Sequence, residues 1–481
     1  VFDLRRFFSH GGRGGRVTVL KKPQRPGKPP QGPPIEQPPL PPPTLGTPLG
    51  FPKMWKWPKY SGSGGPIMTV PGVFDAAHVA AAAKWSMVAV NAVPFTNPST
   101  PANIGIIAAM KAQNPNLVFV WLDSYQWKFQ YSGANLWGDQ WALMGSAPDK
   151  RFYKTGGGGV FWPFGDLLSC FYDVGSIPSE TLALYRAYLV GNGADGIMFD
   201  TLVANAGAWY EPTSTLDLTL TPYTTLAQLN AACAAATTSI IGGLSDAGKL
   251  WGNRGAAPGY TSDAIMGSMT GEMIETWDPD WGIAGGTQIP LGGYEATGGN
   301  GIFHTFDEAM TRILSRQGTA TSDGSVLLKI ETGDNMGDAS IVGTAPWNKV
   351  VRYSLACATI AGGMAHIGLG NARNNVNDVF TNADEYAVDA TGHTDLAMQP
   401  QNRGWLGRPI ELGYKDAGGV YARRFENGIV LVNGPGASRN FPLDRTYKRI
   451  AGSYDTSVNS GAGVSGSISV PAKDGRFLLN A

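Results

Sequence analysis

Between residues 53 and 369 the chain repeats one pattern: short apolar runs bounded by Gly or Pro, nearly all separated by helix-length segments. Eight such runs read as strands, at 53–57, 87–93, 117–122, 196–200, 250–253, 271–275, 326–330 and 365–369. Segments with helical spacing lie between them at 101–113, 179–192, 225–244, 306–317 and 347–362, with Ser179 as an N-cap behind Pro178. The third strand is followed instead by a long aromatic, Gly-rich stretch, 125–171. Eight βα units over about 320 residues fit a (β/α)8 TIM barrel with insertions. A doubly wound open sheet would want a Gly-rich phosphate loop after its first strand, and none is there. The four glycines at 156–159 lack the Lys-Ser/Thr of a phosphate-binding loop and read as a turn.

The pattern changes at both ends. After residue 403 the runs 419–425, 428–433 and 466–470 read as strands with no helix-length segment between them. Turns fall at Glu426-Asn427-Gly428 and Gly434-Pro435-Gly436. This predicts a small C-terminal antiparallel β-sandwich domain. Residues 1–50 carry eight basic and two acidic side chains, a net +6 balanced by −6 in the rest of the chain. Twelve of the 26 residues from 23 to 48 are proline, which excludes a helix or a central strand there. Such a segment runs as polyproline II, roughly 80 Å if fully extended at about 3.1 Å per residue. The expected organisation is a basic, Pro-rich N-terminal arm at 1–50, a barrel at 51–403 and a β-domain at 404–481. The arm suits attachment to a protein partner in a larger assembly. Residues 1–20 lack the continuous apolar stretch of a secretory signal, which leaves export open.

Composition removes several classes. Lys+Arg and Asp+Glu both total 37, so the basic excess of a dedicated nucleic-acid binder is missing. No run of 18 apolar residues is free of charges or breakers, so no transmembrane segment is expected. Three widely spaced cysteines, Cys170, Cys233 and Cys357, form neither a disulfide framework nor a metal pattern and read as small buried hydrophobes. Five histidines without HExxH speak against a metal site, and His304 with Glu308 reads as a surface pair. No G-x-S-x-G elbow is present. No cofactor is expected.

Acids stand where barrel chemistry is built. Active sites of this fold form at the C-terminal ends of the strands. Asp123, Asp200, Glu275 and Glu331 each close an apolar run. Two such carboxylates on one rim can divide the roles of nucleophile and general acid, as glycoside hydrolysis requires. Ordinary rim residues or helix caps are the plainer alternative for each acid taken singly. Fourteen tryptophans, among them Trp57, Trp121 and Trp277 near strand ends, offer faces on which sugar rings stack, although large aromatics also fill cores.

Several segments carry a resemblance. Residues 185–202 (YRAYLVGNGADGIMFDTL), 348–370, Trp405-Leu-Gly-Arg-Pro-Ile and 419–433 (GVYARRFENGIVLVN) resemble hypothetical glycoside hydrolases with a (β/α)8 barrel and a C-terminal β-domain. That group is broadly related to α-galactosidase-type barrels. The resemblance covers residues 51–445 in outline, but neither the arm nor the loop at 137–171. It implies a nucleophile at the end of strand four, Asp200, and an acid/base near the end of strand six, Glu275. Glu272 is a fallback on the opposite face of that strand. Asp123, Asn253 and Glu331 would line the pocket and bind hydroxyls. The expected function is hydrolysis of a polysaccharide; the alternative is a non-catalytic carbohydrate-binding or structural component of a virion or cell-surface assembly. Either implies an extracellular, cell-surface or virion-associated place. Deleting residues 1–50 should leave the melting temperature of the remainder nearly unchanged while abolishing assembly; a large fall would mean that the arm packs as part of the fold.

Overall fold

The computed structural model describes residues 50–56, 76–91, 101–124, 127–129, 169–171, 178–190, 193–200, 202, 217–253, 263–274, 305–317, 326–332, 344–369, 383–386 and 402–481. Eight strands form one parallel sheet in chain order: β1 Trp55–Lys56, β2 Met87–Asn91, β3 Val118–Ser124, then β6 Gly196–Asp200, β7 Lys249–Asn253, β8 Gly271–Ile274, β9 Val326–Thr332 and β10 Met364–Leu369. Every neighbouring pair is parallel. The short β4 Trp127–Phe129 and β5 Ser169–Phe171 pair antiparallel at the two ends of the long aromatic stretch. The sheet curls, and one isolated bridge spans from Met54, next to β1, to Ala365 of β10, where the Ala365 N–H donates to the Lys53 carbonyl at 3.2 Å.

Strand side chains alternate between two buried faces, which is why the runs read as nearly continuous hydrophobics. Met87, Ala89, Val120, Leu122, Met198, Trp251, Met273, Leu327 and Met364 form one cluster inside the curl, without any helix residue. Their neighbours Val88, Val90, Phe119, Trp121, Ile197, Phe199, Leu250, Ile274, Val326 and Leu328 join the core shared with the helices. Those helices are α1 Ala76–Ala83, α2 Pro101–Gln113, α3 Pro178–Leu189, α4 Leu226–Leu244, α5 Asp263–Gly267, α6 Phe306–Ser315 and α7 Ala345–Ile360. Three of them start on a threonine whose hydroxyl accepts from a first-turn N–H: Thr225 for α4, Thr305 for α6 and Thr344 for α7. Helix α3 begins at Pro178, so Ser179 lies inside its first turn rather than at the cap expected from the sequence. No helix among the described residues is long and apolar enough to cross a membrane.

The C-terminal region is richer in strands than the sequence suggests. It holds β11 Tyr414–Lys415, β12 Tyr421–Phe425, β13 Gly428–Asn433, β14 Arg439–Pro442, β15 Tyr447–Arg449, β16 Gly463–Val464, β17 Ser467–Val470 and β18 Asp474–Asn480. Six of them make an antiparallel sheet in the order β11-β12-β13-β18-β15-β16, and β14 pairs with β17. Phe425 faces Gly428 in register, so the predicted turn at Glu426-Asn427 is a two-residue hairpin. Val420, Ala422, Ile429, Leu431, Phe441, Ile468, Val470 and Leu478 form the apolar cluster that the two sheets share. The other face of the six-stranded sheet, with Tyr421, Phe425, Val430, Val432 and Phe477, joins the core around α7.

Contact there is close. A Cβ on Gly475 would lie 2.6 Å from the Arg352 carbonyl and 2.7 Å from the Ala356 Cβ. Gly475→Ala should therefore cost about 1–3 kcal/mol in urea unfolding, since backbone and helix would have to separate. Gly105→Ala, on α2 with nothing within 4 Å of its added methyl, should be neutral or stabilising by up to about 1 kcal/mol. Equal stability of the two variants would contradict the close approach of α7 and β18.

Candidate active site

The interior face of the parallel sheet turns polar at the C-terminal ends of its strands. Asp200 is the last residue of β6, two beyond Met198, and is partly buried. Asn253 is the last residue of β7, two beyond Trp251, and its side chain is buried. Its Nδ2 donates to Asp200 Oδ1 at 2.7 Å. This bond orients the carboxylate and ties two neighbouring strand ends together. Gly252 between Trp251 and Asn253 has a local reason: a Cβ there would lie 2.8 Å from Met269 Sδ and 2.9 Å from a Leu202 methyl. On β10, His366 stands two beyond Met364 and is also buried. The sequence reading did not single it out; the available signal was one polar residue at the interior register of an apolar strand.

Other acids face the opposite way. Asp123 shares its side of β3 with Phe119 and Trp121, which belong to the helix-side core. It is fully buried and accepts a 2.6 Å hydrogen bond from the Tyr185 hydroxyl of α3. Trp121 packs edge-on against Phe119 with ring centroids 5.1 Å apart. Both residues thus lie between sheet and helices, not on the interior side that carries Asp200. Glu272 on β8 is likewise on the helix side. Its two carboxylate oxygens take the Nε and Nη2 of Arg312 on α6, at 3.1 and 2.9 Å. Neither Tyr185 nor Arg312 was legible as a partner, because each approaches from a helix far away in sequence.

The remaining expected site residues divide by position. Glu331 lies in β9 with its backbone paired to Gly368; its side chain is outside the described residues. Glu275, Trp57 and Trp277 are outside them altogether, as is His304. Cys233 and Cys357 are buried in the core, in keeping with the reading of small hydrophobes. Among the described residues no group of three or more His, Cys, Asp or Glu is placed to hold a metal ion.

No protein-family model and no curated protein matches the chain. Among solved structures it is similar to a pullulanase from Bacillus acidopullulyticus, at 10% identity and a TM-score of 0.46 over 89% of this chain and 60% of that one. It is similar to an α-amylase from Lactobacillus plantarum at 10% identity and 0.43, over 89% of this chain and 99% of the other. A xylosidase from Aspergillus niger gives 11% and 0.43, over 89% and 64%. The chain therefore spans less than two thirds of the pullulanase and of the xylosidase. At such identities and TM-scores the likeness says nothing of chemistry.

The environment of Glu272 makes it a structural acid. Glu272→Gln, which leaves the part-buried Arg312 beside an uncharged amide, should cost about 1–3 kcal/mol in chemical denaturation. Replacing both partners, Glu272→Met with Arg312→Leu, should recover most of that loss. No loss in the single variant would show that the pair is solvated.

Proposed function

We propose that this chain is a glycoside hydrolase acting on a polysaccharide, with Asp200 as nucleophile and Glu275 as acid/base at the C-terminal rim of a closed (β/α)8 barrel. The observation that carries the reading is Asp200 itself, a carboxylate at the interior end of a parallel strand, held at one oxygen by Asn253.

The strand registers support closure. Stepping from partner to partner round the sheet leads from Met87 to Val118, Val120 to Gly196, Gly196 to Lys249, Trp251 to Gly271, Met273 to Leu327 and Leu327 to Met364. Crossing Ala365–Met54 and Trp55–Met87 then returns to β2 eight residues below the start. Eight strands with a stagger of eight have the geometry of this barrel. In it, the level position rises by one residue per strand along this path. Asp200 follows Phe199, the partner of Gly252, and Asn253 pairs with Met273. The second carboxylate of the proposal is therefore sought two strands on, two residues beyond Met273, where the sequence has Glu275. Layers in such barrels draw on alternate strands, as β6 and β8 are.

In the reaction, Asp200 attacks the anomeric carbon while Glu275 protonates the leaving oxygen; Glu275 then takes a proton from the water that releases the sugar. Asn253 holds Asp200 in one orientation, so less ordering is left to the transition state. Residues 51–403 form the catalytic barrel, 404–481 the β-domain, and 1–50 the arm that attaches the enzyme to an extracellular, cell-surface or virion assembly.

The test is release of reducing ends from a panel of polysaccharides by the full chain. Asp200→Asn and Glu275→Gln should each lower kcat by about 10²–10⁴-fold with little change in melting temperature. Full activity of Asp200→Asn would reject that nucleophile. A wild-type chain that binds a polysaccharide without cutting it would replace the enzyme by a carbohydrate-binding module.

A further inference from the structure

A buried cluster of charges joins α7, the loop at 452–459, strand β18 and the segment 383–386. Arg352 in the middle of α7 is buried, and its guanidinium is already committed: Nε to Asp474 at 3.1 Å and Nη1 to Asp455. Arg476 on β18 also binds Asp474, at 2.7 Å. Lys349, one turn before Arg352, is half-buried beside Asp474. Asp384 is capped by backbone: Ser453 N–H donates to Oδ1 at 2.7 Å, Tyr454 N–H to Oδ1 at 3.1 Å, and Asp455 N–H to Oδ2 at 2.9 Å. Arg403 stands 3.7 Å from the same carboxylate. Each of these acids has its own cation or set of donors.

Glu385 is different. It is 2% exposed, and its Oε1 accepts one hydrogen bond from Asn459 Nδ2 at 2.9 Å, an amide shared with Asp384 Oδ2 at 3.3 Å. Among the described residues no cation is salt-bridged to it; Arg352, bridged to Asp455 and Asp474, is the charge that favours its ionised form most. With Glu385 ionised the cluster has four carboxylates, Asp384, Glu385, Asp455 and Asp474, facing Arg352, Arg476, Arg403 and the half-buried Lys349. A buried charge whose donors are a shared amide and its own backbone N–H is costly.

The segment carrying Glu385 is also a tie. The next residue, Tyr386, is buried, with its hydroxyl 3.2 Å from Ser86 Oγ just before β2 and its carbonyl accepting from Asn402 Nδ2 at 2.6 Å. Asp384 meanwhile fixes the loop of the antiparallel sheet. Gly452 leaves it room, since a Cβ there would lie 2.2 Å from Asp384 Oδ2.

We propose that Glu385 is a proton-operated lock at the junction of the parallel and antiparallel sheets: protonated, it closes the junction, and loss of its proton to water loosens it. Burial above all, with a smaller push from the neighbouring Asp384, raises its carboxyl from 4.5 to about 7, against Arg352, Asn459 and its own backbone N–H, which pull it down. The folded chain thus binds this proton more tightly than the unfolded one. The contribution to stability is complete below about 4.5 and is lost as pH rises through about 7. Asp455 has its carboxyl held low and is ionised throughout that window.

The experiment follows urea unfolding of the full chain, and hydrogen exchange at the amides of Ser453, Tyr454 and Asp455, from pH 5 to 8.5. The wild-type unfolding constant should rise by up to about tenfold per pH unit between about 4.5 and 7, and protection of the three amides should fall beyond the intrinsic rate change. Glu385→Gln keeps the Asn459 bond without the charge; it should flatten both profiles and exceed wild type in stability at pH 8. Parallel profiles in the two proteins would overturn the proposal, as would unchanged protection of the amides in wild type. Should Glu385→Gln fail to fold, carbon-13 glutamate NMR of the wild-type chain decides. One carboxyl titrating near neutrality upholds the lock, and titration of every glutamate below pH 5 removes it.

Discussion

Everything in this fold leans on α7. From Trp347 to Ile360 almost every side chain of the helix is buried, so the helix must be covered all round. Strands β9 and β10 cover one side, β13 and β18 the other. The approach is close at both walls. Gly363, which leads from α7 into β10, has no room for a side chain against the Val326 carbonyl, and Gly475 has none against Arg352. Each fully buried large apolar residue contributes about 1.5–3 kcal/mol, so this shared wall makes the two sheets interdependent. Arg352 adds direction, because its fork fits only where Asp455 and Asp474 come from the antiparallel side.

The parallel sheet sorts its acids by side. A residue at odd or even position on a strand goes either to the helices or to the interior, and the consequences differ. On the helix side an acid is sealed from water and needs a dedicated donor, which Tyr185 gives Asp123 and Arg312 gives Glu272. On the interior side, near the strand ends, Asp200 keeps partial access to solvent and takes an amide as partner. That difference separates acids that hold the fold from an acid available for chemistry.

The eight strands and five long helices were legible because both faces of a parallel strand are apolar and Gly or Pro punctuates each run. Helix 101–113 was read to the residue, and the threonine caps moved other boundaries by only a few positions. What stayed hidden was pairing. Asp123 and Glu272 look like Asp200 in the sequence, and only the phase of each strand relative to the curl tells them apart. Glu272 could be assigned by alternation within its own strand; Asp123 could not until Val120 and Leu122 fixed the interior phase. Strand β18 was missed because Asp474 and Arg476 interrupt its apolar alternation, and they do so to meet Arg352. The buried Glu385 gave no signal, since its neighbours come from residues 352 and 459.

The central claim is that two carboxylates from alternate strands share one interior level. The measurement that tests it most directly is the separation of the Asp200 and Glu275 carboxyl groups in a crystal structure of the full chain. They should face each other across an open cleft at about 5–5.5 Å, the separation at which one carboxylate attacks the sugar while the other protonates the leaving oxygen. Carboxyl groups on opposite faces of the sheet, or parted by packed side chains, would contradict the claim.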